Sequence, residues 1–195
     1  MTRHARRGAL AIGVALVLAA CAGIPAPPPV APADVAPDPA FRVEGRMSAR
    51  RGSEGVAVHF DWRHAPDRDE FDLSTPLGQS VARMQRDAAG VRLERPGEPV
   101  TGYASWRALT EAVLGVAIPV EGLASWVQGA PAAGAAADLE RDAAGRASVL
   151  REQGWEILYS YADPTTRRPF RLVLRYPGSE TIEVRIVLDE WSRPS

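Results

Sequence analysis

From Phe41 onward the chain alternates. Phe41, Val43, Gly45, Met47 and Ala49 fall on one face, and Arg42, Glu44, Arg46, Ser48 and Arg50 on the other. Val56, Val58, Phe60 and Trp62 repeat the pattern against Ala57, His59 and Asp61, and the pairs Phe71/Leu73, Ala82/Met84 and Val91/Leu93 continue it. A period of two marks strands with one buried face. The breaks carry turn residues: Arg51-Gly52-Ser53, Ala65-Pro66-Asp67, Thr75-Pro76-Leu77-Gly78 and Asp87 to Gly90. Between Ser105 and Gln128 the period lengthens. Trp106, Leu109, Val113 and Leu114 share a helix face that ends at Gly115, a C-cap position. Pro119, Val120, Leu123, Ala124 and Val127 mark a second short helix, stopped by Gly129 and Pro131. Strands then return over Asp138–Asp142, Ser148–Gln153, Trp155–Tyr161, Phe170–Tyr176 and Thr181–Glu190. In the last of these, Ile182, Val184, Ile186 and Leu188 point inward.

Ten or eleven short strands with two helices inserted mid-chain predict a mainly β (α+β) fold. Its centre is a single strongly curved antiparallel sheet, capped on its concave side by the helices. Such a sheet presents more apolar side chains than two short helices can cover. Either the barrel closes and fills its own interior, or it stays open around an apolar cavity.

Hydrophobic residues at 46% and charged residues at 24% of 195 are ordinary globular values. Met1–Ala20 differs. Arg3, His4, Arg6 and Arg7 precede an apolar run from Ala9 to Leu18, too short to span a bilayer, and Leu18-Ala19-Ala20 leads into Cys21. This is a signal peptide over 1–20 followed by a lipobox, with Cys21, the only cysteine, as the lipidated first residue of the mature chain. The absence of aspartate at position 22 favours the outer membrane. Residues 22–40 hold seven prolines and six alanines among nineteen residues, which predicts an extended tether of up to about 60 Å. The domain proper then covers 41–191, with a helical lid at about 105–128. Lysine is absent, and beyond the leader 20 arginines face 24 acids, a net charge of −4. Dispersed arginines on an acidic chain make a poor nucleic-acid footprint.

Catalytic chemistry is sparse. His59 and His64, the two histidines beyond the leader, lack the spacing of a helical zinc pair. Gly78-Gln79-Ser80-Val81-Ala82 lacks the second glycine of a serine-hydrolase elbow and leads into a strand. Glu140/Asp142 and Asp67/Asp69/Glu70 read as solvated strand edges and turns. No enzyme, cofactor or metal is expected.

Taken in order, these features resemble the LolB family of outer-membrane lipoprotein receptors. The resemblance rests on the lipobox, on Thr75-Pro76-Leu77-Gly78 in a hairpin, and on the segment Ile118-Pro119-Val120-Glu121-Gly122-Leu123-Ala124-Ser125-Trp126-Val127-Gln128-Gly129. Leu188-Asp189-Glu190-Trp191 in the last strand completes it, with Trp62 and Trp155 also in place. It implies an unclosed barrel of about eleven strands with a helical lid over an apolar cavity. It also implies a role: accepting lipoproteins from the periplasmic carrier LolA and inserting them into the inner leaflet of the outer membrane, without ATP. The family commonly has a helix before the first strand, whereas here that region is short and proline-rich. A two-helix lid, or an extended segment over Asp34–Phe41, is expected instead.

The expected acyl-chain cavity is lined from the sheet by Val43, Met47, Val58, Phe60, Trp62, Phe71, Leu73 and Met84. Trp155, Ile157, Tyr159, Leu172, Leu174, Val184 and Ile186 line its other half, and Leu109, Val113, Leu123 and Trp126 come from the lid. Acyl chains are expected against Trp62, Trp126 and Trp155. Pro76, Leu77 and Gly78 form the expected membrane-insertion loop; leucine is odd at the outermost point of a turn, and the matching family residue serves membrane delivery. The implied partners are LolA, acylated lipoprotein cargo and outer-membrane lipid, with the protein a monomer. Two other readings remain: a structural or assembly lipoprotein with a filled barrel, and a lipid-active hydrolase using Ser80.

Overall fold

The computed structural model describes residues 36–178 and 181–193; the expected leader, Cys21 and most of the tether lie outside the described residues. The alternating segments form β1 (Phe41–Arg51), β2 (Glu54–Ala65), β3 (Arg68–Ser74), β4 (Ser80–Asp87), β5 (Gly90–Glu94) and β6 (Thr101–Tyr103). Helices α1 (Trp106–Leu114) and α2 (Val120–Trp126) follow. Then come β7 (Ala137–Arg141), β8 (Ala147–Glu152), β9 (Trp155–Ser160), β10 (Arg171–Tyr176) and β11 (Ile182–Ser192). The expected late strands are met to within two residues. Strand β6 was not expected, because three residues cannot show alternation.

All strands join one antiparallel sheet in the order β6-β5-β4-β3-β2-β1-β11-β10-β9-β8-β7. Two meanders therefore meet where the first and last strands pair. Strands β6 and β7 are the free edges, so the barrel is unclosed, and the segment that links them carries both helices. Of the two outcomes left open by the pattern, the open sheet is the one found.

The β1–β11 pairing contains a bulge at Glu44/Gly45: Glu44 faces Glu190, Gly45 faces Leu188, and Asp189 is skipped. A bulge changes which parity points inward. Ile182, Val184, Ile186 and Leu188 are inward before it, and Trp191 is inward after it, where it stacks on Phe41 at 4.4 Å. Gly45 is required here by close approach. A Cβ on it would stand 2.2 Å from the Val187 carbonyl oxygen and 2.8 Å from the Phe60 ring, which lies across the gap.

The helices end as their sequences dictate. Ser105 Oγ accepts a hydrogen bond from the Ala108 N–H, and Gly115 closes α1 at φ 71°, donating to the Glu111 carbonyl. Helix α2 has seven residues and no side-chain cap, so tertiary packing must hold it. The buried Thr110 hydroxyl joins the two: it accepts from the Ile118 N–H at 2.9 Å and donates toward the Ile118 carbonyl at 3.3 Å.

The registers define two ends of the sheet. At one, Phe41 enters β1 beside the 65–68 and 87–90 turns; at the other lie the 51–54 turn and the 75–79 hairpin. No helix precedes β1 among the described residues, and Ala36–Asp38 has no regular secondary structure. That segment is fastened to Gln128, just beyond α2, by two hydrogen bonds with Asp38.

Candidate functional site

Strand alternation delivers the expected lining residues to one concave face. Val43, Met47, Val58, Phe60, Trp62, Phe71, Leu73, Met84, Trp155, Ile157, Leu172, Leu174, Val184 and Ile186 are all buried there. Leu109, Leu123 and Trp126 are buried on the lid, and Val113 and Tyr159 are half-buried against the same cluster. The structure thus brings all nineteen together. Trp106, Leu114, Val116, Ile118, Val120 and Val127 join them from the lid segment, and Phe41, Ala82, Leu93 and Leu150 from the sheet. The sequence pattern places Trp106 on a helix face and Ile118 in a motif without assigning either to the lining; their apolar character is the available signal.

Among the described residues, the apolar face under the lid is closely packed. Side chains lining an empty cavity would keep surface open to water, yet Ile157, Leu172, Leu174, Val184 and Trp126 are 0% exposed. The lid's own residues provide that filling, so the open sheet behaves as a packed core. The closure is imperfect in its polar groups. Trp106 Nε1 and Trp126 Nε1 on the lid, and the Tyr159 hydroxyl beneath it, are buried without a hydrogen-bond partner among the described residues. Each such orphan costs about 1–3 kcal/mol. Burial also pushes the Tyr159 phenol well above its ordinary pKa, aided by Tyr161 and Glu152, so it stays a neutral donor.

Trp62 differs from the other two expected chain-contacting tryptophans. Its Nε1 donates to the buried Asp69 carboxylate at 3.0 Å, and its ring stacks on Phe71 at 4.6 Å and meets Phe41 edge-on. It is therefore tied into the scaffold. Trp126 lies against Gly122 one turn earlier, where a Cβ would stand 2.9 Å from the indole ring. Trp155 sits at the opposite end of the sheet from Trp62, tilted against Tyr176 at 5.3 Å.

Asp69, read as a solvated turn residue, is buried in a polar cluster. Besides Trp62, His64 Nδ1 lies 2.7 Å away and Arg86 2.6 Å away. Burial raises the Asp69 pKa, but the hydrogen bonds to His64, Arg86 and Trp62 outweigh it and hold the carboxyl below its usual range. This His–Asp pair lies at the end of β2–β3 away from Ser80, which faces Ser74 at the other end of β3. No serine–histidine–aspartate arrangement forms from these residues.

The hairpin between β3 and β4 departs from everything around it. The Gly78 N–H donates to the Thr75 carbonyl at 2.8 Å and the Thr75 N–H to the Gln79 carbonyl at 2.8 Å, with Gly78 at φ 82°. Pro76 and Leu77 occupy the two central positions of this turn. Leu77 is 90% exposed, the most exposed large hydrophobic residue among those described. Val100, 57% exposed, lies in the β5–β6 loop at the same end of the sheet.

Residues 39–191 match the family model described as "Outer membrane lipoprotein LolB". Two curated proteins named outer-membrane lipoprotein LolB are similar over nearly their whole length. That of Thiobacillus denitrificans is 36% identical, covering 95% of this chain and 97% of its own. That of Chromobacterium violaceum is 34% identical, covering 95% and 98%. A solved structure, of a LolA superfamily protein from Nitrosomonas europaea, is similar at TM-score 0.48 and 8% identity over 80% of this chain and 86% of that one, too remote to bear on function.

Proposed function

The chain belongs to the LolB family of outer-membrane lipoproteins, and from that premise we propose that it receives acylated lipoproteins from the periplasmic carrier LolA and inserts them into the inner leaflet of the outer membrane. Cys21 carries the anchor in this reading. The observation that carries it is the contrast between Leu77, thrust into solvent at a hairpin tip, and an otherwise closed apolar face under two short helices.

The physics requires little machinery. Burying one CH₂ is worth about 0.8 kcal/mol, so an acyl chain of about fifteen costs roughly 12 kcal/mol to expose to water. Chains passed between two apolar sites avoid that cost, and a difference in affinity of about 1.4 kcal/mol biases the direction tenfold. ATP is unnecessary for such a step. Acceptance requires α1 and α2 to lift, because their side chains occupy the volume a chain would take. The orphaned indole and phenol donors favour this: lifting lets them reach water or the cargo's ester and amide carbonyls. Delivery then begins with Leu77 entering the bilayer.

The filled interior also suits a structural or assembly lipoprotein with a permanently packed core. A fluorescent fatty-acid analogue offered to the Cys21→Ala protein separates the two. Saturable binding that quenches tryptophan emission is expected for the receptor, and its complete absence would leave the packed-core reading. Depletion in the parent bacterium tests the pathway itself. Lipoproteins should accumulate on their periplasmic carrier, and unchanged sorting would sink the proposal.

A further inference from the structure

The segment entering β1 is held by its backbone. The carboxamide of Gln128 accepts a hydrogen bond from the Asp38 N–H at 2.7 Å and donates one to the Asp38 carbonyl at 3.1 Å. The same amide nitrogen donates to the Ala124 carbonyl at 3.0 Å, so the end of α2 holds it in place. The Asp38 carboxylate pairs with Arg168, whose guanidinium lies 4.4 Å over the Trp191 ring. A side-chain amide that engages both polar groups of one residue reads an extended peptide without regard to most of its side chains, as a strand edge does. The one side chain it does read here is acidic.

Beside this segment lies a pocket of about 550 Å³, bounded by Ala36–Asp38, the Gln128–Pro131 loop, β7 and the β9–β10 loop. Leu139, Ala147 and Pro131 give it apolar walls, and Arg146, Arg167 and Arg168 stand around it. Arg146 is paired with Asp142 and rests 4.1 Å over Tyr161, which makes it a fixed part of the wall. Space and positive charge thus extend beyond the three residues now in place.

We propose that this is a peptide-binding site, occupied here by the chain's own residues 36–38, whose guest is the extended acidic peptide that follows the acylated cysteine of a cargo lipoprotein. The assignment of that guest rests on the receptor reading above. The present occupant belongs to the same chemical class, since it follows Cys21 in sequence and is part of a proline-rich stretch that includes the acidic Asp38. It therefore acts as an internal competitor. A guest whose acyl chains already lie under the lid is presented at roughly millimolar effective concentration, so it competes with the internal occupant as a second tethered ligand, and the better set of contacts prevails. Displacement also frees the end of α2 from the entry to β1, coupling arrival of the cargo peptide to release of the lid.

The test uses a fluorescein-labelled octapeptide copying residues 33–40, titrated into the full chain and followed by anisotropy. Asp38→Pro in the protein removes both the N–H and the carboxylate of the internal competitor, and should tighten peptide binding at least tenfold. Adding Gln128→Ala or Arg168→Ala to that variant should then weaken it at least tenfold. A peptide with asparagine in place of its second aspartate should bind several-fold more weakly. If Gln128→Ala does not fold, as judged by circular dichroism, Gln128→Glu serves in its place, keeping an acceptor while losing the donor. Equal binding by all variants, or none by Asp38→Pro, overturns the site. Fatty-acid uptake measured on the same samples keeps the two readings apart. Uptake without peptide binding removes only the peptide site, and peptide binding without uptake supports the site and removes its cargo assignment.

Discussion

Leu77 and Asp69 show how much a single side chain can carry. Leucine at the exposed tip of a turn has no packing role in the described structure, so replacing it should leave the fold intact. Burial of one leucine in lipid is worth about 1.5–3 kcal/mol, roughly a ten- to hundredfold bias in membrane engagement. Leu77→Glu is therefore expected to keep its melting temperature and its acyl-chain binding while slowing delivery to liposomes by that factor. Leu77→Ile should retain most delivery. Asp69 is the converse, a buried charge that the fold needs. Its depressed pKa means that its stabilisation is complete above the ordinary carboxylate value of 3.8 and is lost as pH falls through the lower folded value. Asp87, held at about 2 chiefly by Arg92 and the Ala89 N–H, adds to the same acid-side loss. Urea midpoints should be flat from pH 7 to about 5 and fall below about 4. Asp69→Asn should cost about 3 kcal/mol at neutral pH, because Arg86 loses its buried counter-charge, and should flatten part of the acid decline.

At the scale of elements, the lid is the part least able to stand alone. Helix α1 has nine residues and α2 seven, both shorter than an isolated helix requires, and α2 lacks a side-chain cap. The Thr110 hydroxyl substitutes for a longer helix by satisfying the buried Ile118 N–H. Thr110→Val keeps the shape and removes the acceptor, so a loss of about 1–3 kcal/mol is expected. Hydrogen exchange should locate it: amides of α1 and α2 should exchange faster, with β1, β2 and β11 unchanged. Uniform acceleration throughout the sheet would mean that the lid and sheet unfold as one unit.

At the scale of the molecule, the proposed function gives the two ends of the sheet different tasks. The Leu77 hairpin lies at one end, and Asp38 leads into β1 at the other. Eleven residues of β1 separate them, roughly 36 Å at about 3.3 Å per residue. With Cys21 as the anchor, residues 22–37 must be long enough for the far end to reach the bilayer holding that anchor. Deleting ten of them leaves six, which at about 3.3–3.6 Å each cover only some 20 Å. The shortened, lipidated protein should lose delivery, and Cys21→Ala in the same background should restore it by freeing the tip. Equal delivery by both would show that tether length does not limit the tip.

Periodicity alone located every strand but β6 and both helices, because burial on one face imposes a period of two or 3.6 whatever the final topology. The apolar face, the turn at Thr75–Gly78 and the cap at Gly115 were legible for the same reason: each depends on neighbours in sequence. Even the β1–β11 bulge left a trace, in the three-residue step from Leu188 to Trp191 where the strand otherwise steps by two. What the sequence could not give were features made by residues distant in the chain. The pairing of the first strand with the last, the burial of Asp69 among Trp62, His64 and Arg86, the filling of the open sheet by its lid, and the capture of Asp38 by Gln128 ninety positions away all belong to this class. A local pattern states which side of an element must leave water. Which partner takes it out of water is settled only when the elements meet, since many apolar faces are interchangeable by composition and only the packed arrangement selects among them.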